Sequence, residues 1–183
     1  MKVAPAEVTD IVMYQIGALE AFCRANGIAM QHVKPHGAMY NMAEKDDKLA
    51  EAICRGIKAV NSDLILLGPG SGKMVKAAKA LGLKTAGEVF ADRAYMEDGT
   101  LVPRSQESAM ITDEEEAVAR VLEMVQKGTV TAITGKKIEV QADSICVHGD
   151  GQKALLFVQK IRSELEKAGV VIVPMKEVIV GES

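Results

Sequence analysis

Apolar residues recur along this chain with two alternating periods. From 5 to 25, Val8, Ile11, Val12, Ile16, Leu19 and Phe22 fall at helical spacing, and Gly27 ends the run. A short strand near 30–33 follows, then a helix over 46–60 with Leu49, Ile53 and Ile57 on one face. Residues 64–67 read as a strand buried on both sides, 71–81 as a helix and 85–90 as a strand. Asp98-Gly99 signals a hairpin turn. Thr112 with Glu115 three residues on forms a capping-box pattern ahead of a helix whose stripe is Val118, Val121, Leu122 and Val125. A second hairpin turns at Thr134-Gly135. A strand at 145–148, a helix over 152–168 and a final strand at 170–173 complete the reading. Strand-helix-strand repetition predicts a parallel sheet with helices outside it, an α/β class in a single domain over 1–183.

In parallel α/β folds, chemistry collects at the carboxyl ends of the strands. That rule gathers Lys34 and His36, the Gly68–Lys73 turn, Asp92 and Arg93, and His148 and Asp150 as one candidate constellation. Lys34 and His36 lie two apart in HVKPHGAMYN, so an extended backbone points them the same way; Pro35 stiffens the backbone and Gly37 permits a sharp turn. A lysine beside a histidine suits polarising a carbonyl or holding a phosphate or carboxylate. His32 reads as structural. His148 with Asp150 suits acid–base work, because imidazole titrates near neutrality; a buried histidine satisfied by the backbone is the competing reading. Asp92 and Arg93 fit either an ion pair or a substrate contact. Arg104 suits a bidentate carboxylate clamp, though a solvated loop arginine fits equally.

The turn GPGSGK resembles a phosphate-binding loop but fails its pattern. Leu67 stands where the first glycine belongs and Met74 where the metal-binding hydroxyl belongs. Two readings remain: a tight turn, or an anion held by helix N-terminal amides.

Composition narrows the classes. With 48% hydrophobic and 26% charged residues the chain affords a core, which argues against disorder. A net charge of -3, with signs mixed along the chain, gives no nucleic-acid footprint and no membrane anchor. Apolar runs are strand-sized, and the N-terminal stretch MKVAPAEVTD lacks the apolar region of a signal peptide. Cys23, Cys54 and Cys146 are widely spaced and form no zinc pattern, which reads as reduced thiols in a cytoplasmic protein.

Taken together, VKPHGAMYN, EVFADRAY, DGTLVPRS, GTVTAI and SICVHGD resemble the LamB/YcsF family, to which one component of the bacterial ATP-dependent 5-oxoprolinase belongs. The resemblance implies a (β/α) barrel-like fold, TIM-barrel-like and related to polysaccharide deacetylases, hence a place in carbohydrate metabolism. It implies opening of 5-oxo-L-proline to L-glutamate at the expense of ATP, together with subunits B and C. It assigns Lys34, His36, His148 and Asp150 to catalysis, and Asp92, Arg93, Arg104 and Asn41 to substrate binding. It leaves the metal requirement unknown. Family members usually begin with strand units carrying D-L-N-C-D-L-G-E, C-G-F-H-A-G-D and A-H-P segments, none of which occurs here. The expectation is therefore a barrel incomplete at the N-terminus, its open edge covered by a complementing chain or by homo-oligomerisation. A metal-dependent amide or carbohydrate deacetylase and a non-catalytic binding module are the rival readings.

Overall fold

The computed structural model describes residues 3–149 and 154–180, arranged in two compact units. The first takes in residues up to 86 and those from 175 onward; the second runs from 87 to 174.

In the first unit, helix α1 (Pro5–Ala25) packs on α3 (Asp47–Val60). Only Val8, Val12 and Ile16 of the predicted stripe are buried, while Leu19 and Phe22 are exposed. The α1 contact is close because α3 offers a glycine. A Cβ on Gly56 would lie 2.9 Å from the Thr9 carbonyl oxygen and 3.0 Å from Val12 Cβ. Thr9 Oγ1 also donates to the Ala52 carbonyl at 2.9 Å. Asp46 starts α3 by accepting from the amides of Lys48 and Leu49.

Strand β1 (His32–Val33) runs parallel to β2 (Ile65–Pro69), with His32 opposite Ile65 and Val33 opposite Leu66. The expected strand near 30–33 is thus reduced to two residues. A short helix, α2 (Ala38–Ala43), follows directly. The apolar pattern had not announced it, because six residues are too few to show a period. Helix α4 (Lys73–Ala80) packs on β2. Ile65 and Leu67 instead meet Ala86, Met175 and Ile179.

That last contact corrects the predicted strand at 170–173. Residues 170–174 form no strand, and helix α7 (Met175–Val180) lies just beyond them. A short apolar run reads equally as strand or as an approach to a helix, and here packing decided.

Strand β3 (Thr85–Phe90) begins in the first unit, where Leu66 N–H donates to the Lys84 carbonyl just ahead of it. In the second unit β3 pairs in parallel with β6 (Ser144–Cys146), with Glu88 opposite Ser144, Val89 opposite Ile145 and Phe90 opposite Cys146. The predicted hairpin at 98–99 is present, with Gly99 at φ +82° and Met96 N–H donating to the Thr100 carbonyl. Helix α5 (Glu114–Lys127) is capped by Asp113, which accepts from the Glu116 amide. The cap is therefore one residue past the expected Thr112, since a carboxylate caps as well as a hydroxyl and also favours the helix dipole. Strands β4 (Thr129–Thr131) and β5 (Lys137–Glu139) form the second predicted hairpin. Helix α6 (Ala154–Lys167) buries Ile161 and Leu165 and packs on α5. The parallel α/β class expected from the repeating pattern is what the structure has.

The Gly56 contact generates a prediction. Alanine normally improves a helix interior by about 1 kcal/mol over glycine. Here the new methyl meets a backbone oxygen, so Gly56→Ala is expected to destabilise the fold by about 1–3 kcal/mol. Urea unfolding checks this, and an increase in stability would show that α1 and α3 are not held at this distance.

Candidate active site

Asp92 and His148 sit two residues past the ends of β3 and β6, and the parallel register brings them together. His148 Nδ1 lies 2.7 Å from Asp92 Oδ2 and 3.0 Å from Oδ1. The side chains are 23% and 11% exposed, respectively. A buried carboxylate this close fixes the neutral imidazole as the Nδ1–H tautomer, donating to Asp92 and leaving Nε2 with its lone pair outward. The Phe90 ring stacks on the imidazole, with centroids 6.1 Å apart and planes 18° apart. Such an imidazole is held from one edge and one face, with Nε2 turned away from both.

Backbone bonds hold Asp92 in place, since its carbonyl accepts from Ile111 N–H at 2.9 Å. Arg93 is buried, and its guanidinium donates to the carbonyls of Val102 at 2.6 Å and Ala109 at 3.4 Å. These two bonds make it a brace for the 92–110 loop. Burial, then the like charge of Arg104, pulls its pKa below the ordinary arginine value. Arg104 itself is exposed. Asp150 lies outside the described residues; among those described, Asp92 is the carboxylate that meets His148.

In the first unit, the Lys34 ammonium lies 6.0 Å from the centroid of the buried Tyr40 ring. His36 is exposed, and Gly37 turns the chain at φ +63°, a conformation that favours glycine. Asn41 Nδ2 donates to the Gly37 carbonyl at 3.1 Å, so its amide steadies the turn.

The GPGSGK turn resolves in favour of a closed one. Glu44 places its carboxylate on the N-terminus of α4, accepting from Lys73 N–H at 2.8 Å and Met74 N–H at 3.1 Å. A Cβ on Gly72 would lie 2.2 Å from Glu44 Oε2, so glycine there makes room for this internal anion. Two amides at the start of α4 are thus occupied from within. Cys54, fully buried, is no nucleophile: burial, then the charges of Glu44 and Glu51, pushes its thiol up to about 12. The described residues bring together no group of three or more His, Cys, Asp and Glu that would hold a metal ion. No helix among them is long and apolar enough to cross a membrane.

The LamB/YcsF family model matches residues 1–180. The chain belongs to the LamB/YcsF family. It is 60% identical over 178 residues to the A subunit of a 5-oxoprolinase from Clostridium beijerinckii, covering 97% of this chain and 70% of that protein. The corresponding A subunit from Bacillus subtilis is 49% identical over 177 residues, covering 97% of this chain and 69% of that one. Among solved structures, a lactam utilization protein from Thermus thermophilus superposes with a TM-score of 0.87 at 41% identity. That match covers 94% of this chain and 68% of the other. The parallel α/β architecture is thus shared with a family member of known structure.

Glu44 supplies the prediction here. Burial raises its pKa above the ordinary 4.5, against the opposing pull of the Met74 and Lys73 amides and the charges of Lys76 and Lys73. A carboxyl whose folded pKa is raised contributes most below its unfolded value, and that contribution is lost as pH rises through the folded one. Relative to Glu44→Gln, the native chain should therefore lose stability as pH climbs from about 4.5. Thermal melts of both proteins across pH 4 to 7, roughly the carboxylate range and above it, check the difference. Parallel curves would refute it.

Proposed function

We propose that this chain is a component of an ATP-dependent 5-oxoprolinase, hydrolysing the ring amide of 5-oxo-L-proline to L-glutamate together with subunits B and C. The observation that carries the chemistry is the Asp92–His148 pair, an imidazole oriented through Nδ1 with Nε2 directed away from its partner. Support for the substrate comes from the relatives named as 5-oxoprolinase components and the neighbour named a lactam utilization protein.

A lactam is a poor electrophile, because the nitrogen lone pair is delocalised into the carbonyl. ATP supplies the driving force by phosphorylating the carbonyl oxygen, which turns that oxygen into a leaving group. Water then adds to the ring carbon. His148 Nε2 takes the proton that water loses, Asp92 stabilises the imidazolium, and the proton passes to the ring nitrogen as the C–N bond breaks. Breaking the C–N bond leaves an acyl phosphate, and a second water releases inorganic phosphate from it to leave the side-chain carboxylate of glutamate. In this reading Lys34 and His36 serve the phosphoryl or carbonyl oxygens and Arg104 the substrate carboxylate, with Asn41 steadying the Lys34–Gly37 turn. ATP is used with the partner subunits in this reading, and the α4 N-terminus keeps its internal Glu44 contact. A chemistry of this kind, dependent on intracellular ATP, belongs in the cytoplasm.

The test is glutamate formation from 5-oxoproline by this chain assembled with subunits B and C. Omitting ATP should abolish product, and His148→Gln should lower turnover by about 10²–10⁴-fold in a folded, assembled complex. Undiminished turnover in that variant, or product formed without ATP, contradicts the proposal.

A further inference from the structure

We propose that Tyr95 is a positioning residue for the Asp92–His148 pair, acting through the backbone of Phe90. The proposal rests on the reading of that pair as the proton-handling group of the site.

Phe90 ends β3, and it carries two of the constraints on His148. Its ring stacks on the imidazole, and its backbone leads directly to Asp92, two residues on. The Ala91 amide continues the ladder to β6 by donating to the Cys146 carbonyl at 3.1 Å. The Phe90 amide, facing the other side of the strand, donates to the Tyr95 hydroxyl at 2.8 Å, inside the protein. Tyr95 is only 4% exposed, so this bond is made away from water, where a hydrogen bond is stronger and its loss costs more.

Tyr95 can act as a fixed post because its own backbone is held. Its carbonyl accepts from Ile133 N–H at 2.8 Å, and it forms a bridge with Leu101 across the 98–99 hairpin. Next to it, the Ala94 amide donates to the Ala109 carbonyl and the Ala94 carbonyl accepts from Val102 N–H, both at 3.0 Å. One hydroxyl therefore ties the end of β3 to the hairpin and braced loop beside it. Burial holds the Tyr95 phenol well above its ordinary pKa, which keeps it a neutral O–H and suits anchoring over proton transfer. A tyrosine that merely filled the core would need only its ring, and phenylalanine would serve as well.

The test is Tyr95→Phe, which keeps the ring and deletes the anchor. In the full chain, the two imidazole nitrogens of His148 are followed by long-range ¹⁵N–¹H NMR, with the signals assigned by their loss in His148→Gln. The native protein should show the Nδ1–H tautomer alone. Tyr95→Phe should show a mixture of tautomers and loss of the Nδ1–H proton to solvent exchange. In the assembled enzyme kcat should fall roughly ten- to a hundredfold, with KM little changed. The NMR readout needs no turnover, so it stands or falls separately from the lactam reading. Native His148 nitrogen shifts in a folded Tyr95→Phe protein overturn the proposal. Should that variant fail to fold, hydrogen exchange of the Phe90 amide in the native chain replaces it: protection comparable to the Ala91 amide is expected, and a Phe90 amide that exchanges freely in the folded protein overturns the proposal.

Discussion

The parallel register of β3 against β6 sets the distance between Asp92 and His148. Val89 lies opposite Ile145 and Phe90 opposite Cys146, so residues two further along each strand leave the sheet side by side. At that edge a carboxylate and an imidazole fall within 2.7 Å, each mostly shielded from water. Low local dielectric strengthens the bond between them and makes leaving either one unpaired costly. Three neighbouring features of the second unit keep that geometry: the Arg93 brace, the Ile111 amide on the Asp92 carbonyl, and the Phe90 ring on the imidazole.

The first unit uses a half-buried carboxylate differently. A glycine-rich turn opens the N-terminus of α4, and an internal carboxylate, Glu44, fills it. Gly72 is the residue that lets Glu44 approach, as Gly56 lets α1 approach α3. The turn looks like a nucleotide site only when its amides are imagined free. Glu44 satisfies two of them from within.

Much of this was legible from residue order alone. The helix at Pro5–Ala25 and the strand at Thr85–Phe90 fell where periodicity placed them, because a long amphipathic run and a short apolar run bounded by turn residues carry strong signals. Short elements did not: α2 is too brief to show a period, and the apolar run at 170–173 gave no sign that a helix, not a strand, would follow. Site residues were harder. Asp92 and His148 were both singled out, but their pairing was not, because 56 positions separate them and only the β3–β6 register closes that gap. Nor could the sequence reveal the two backbone carbonyls that hold Arg93. Tyr95 gave no signal at all, being an aromatic residue in a loop whose hydroxyl matters only through one buried amide.

The central claim is that Asp92 and His148 act as one unit, and a double-mutant cycle tests it most directly. Turnover of 5-oxoproline would be measured for Asp92→Asn, His148→Gln and the double variant, each assembled with its partner subunits. Groups that act together lose their effect together, so the double variant should be no slower than the slower single one. Losses that multiply, as for two independent residues, would contradict the account.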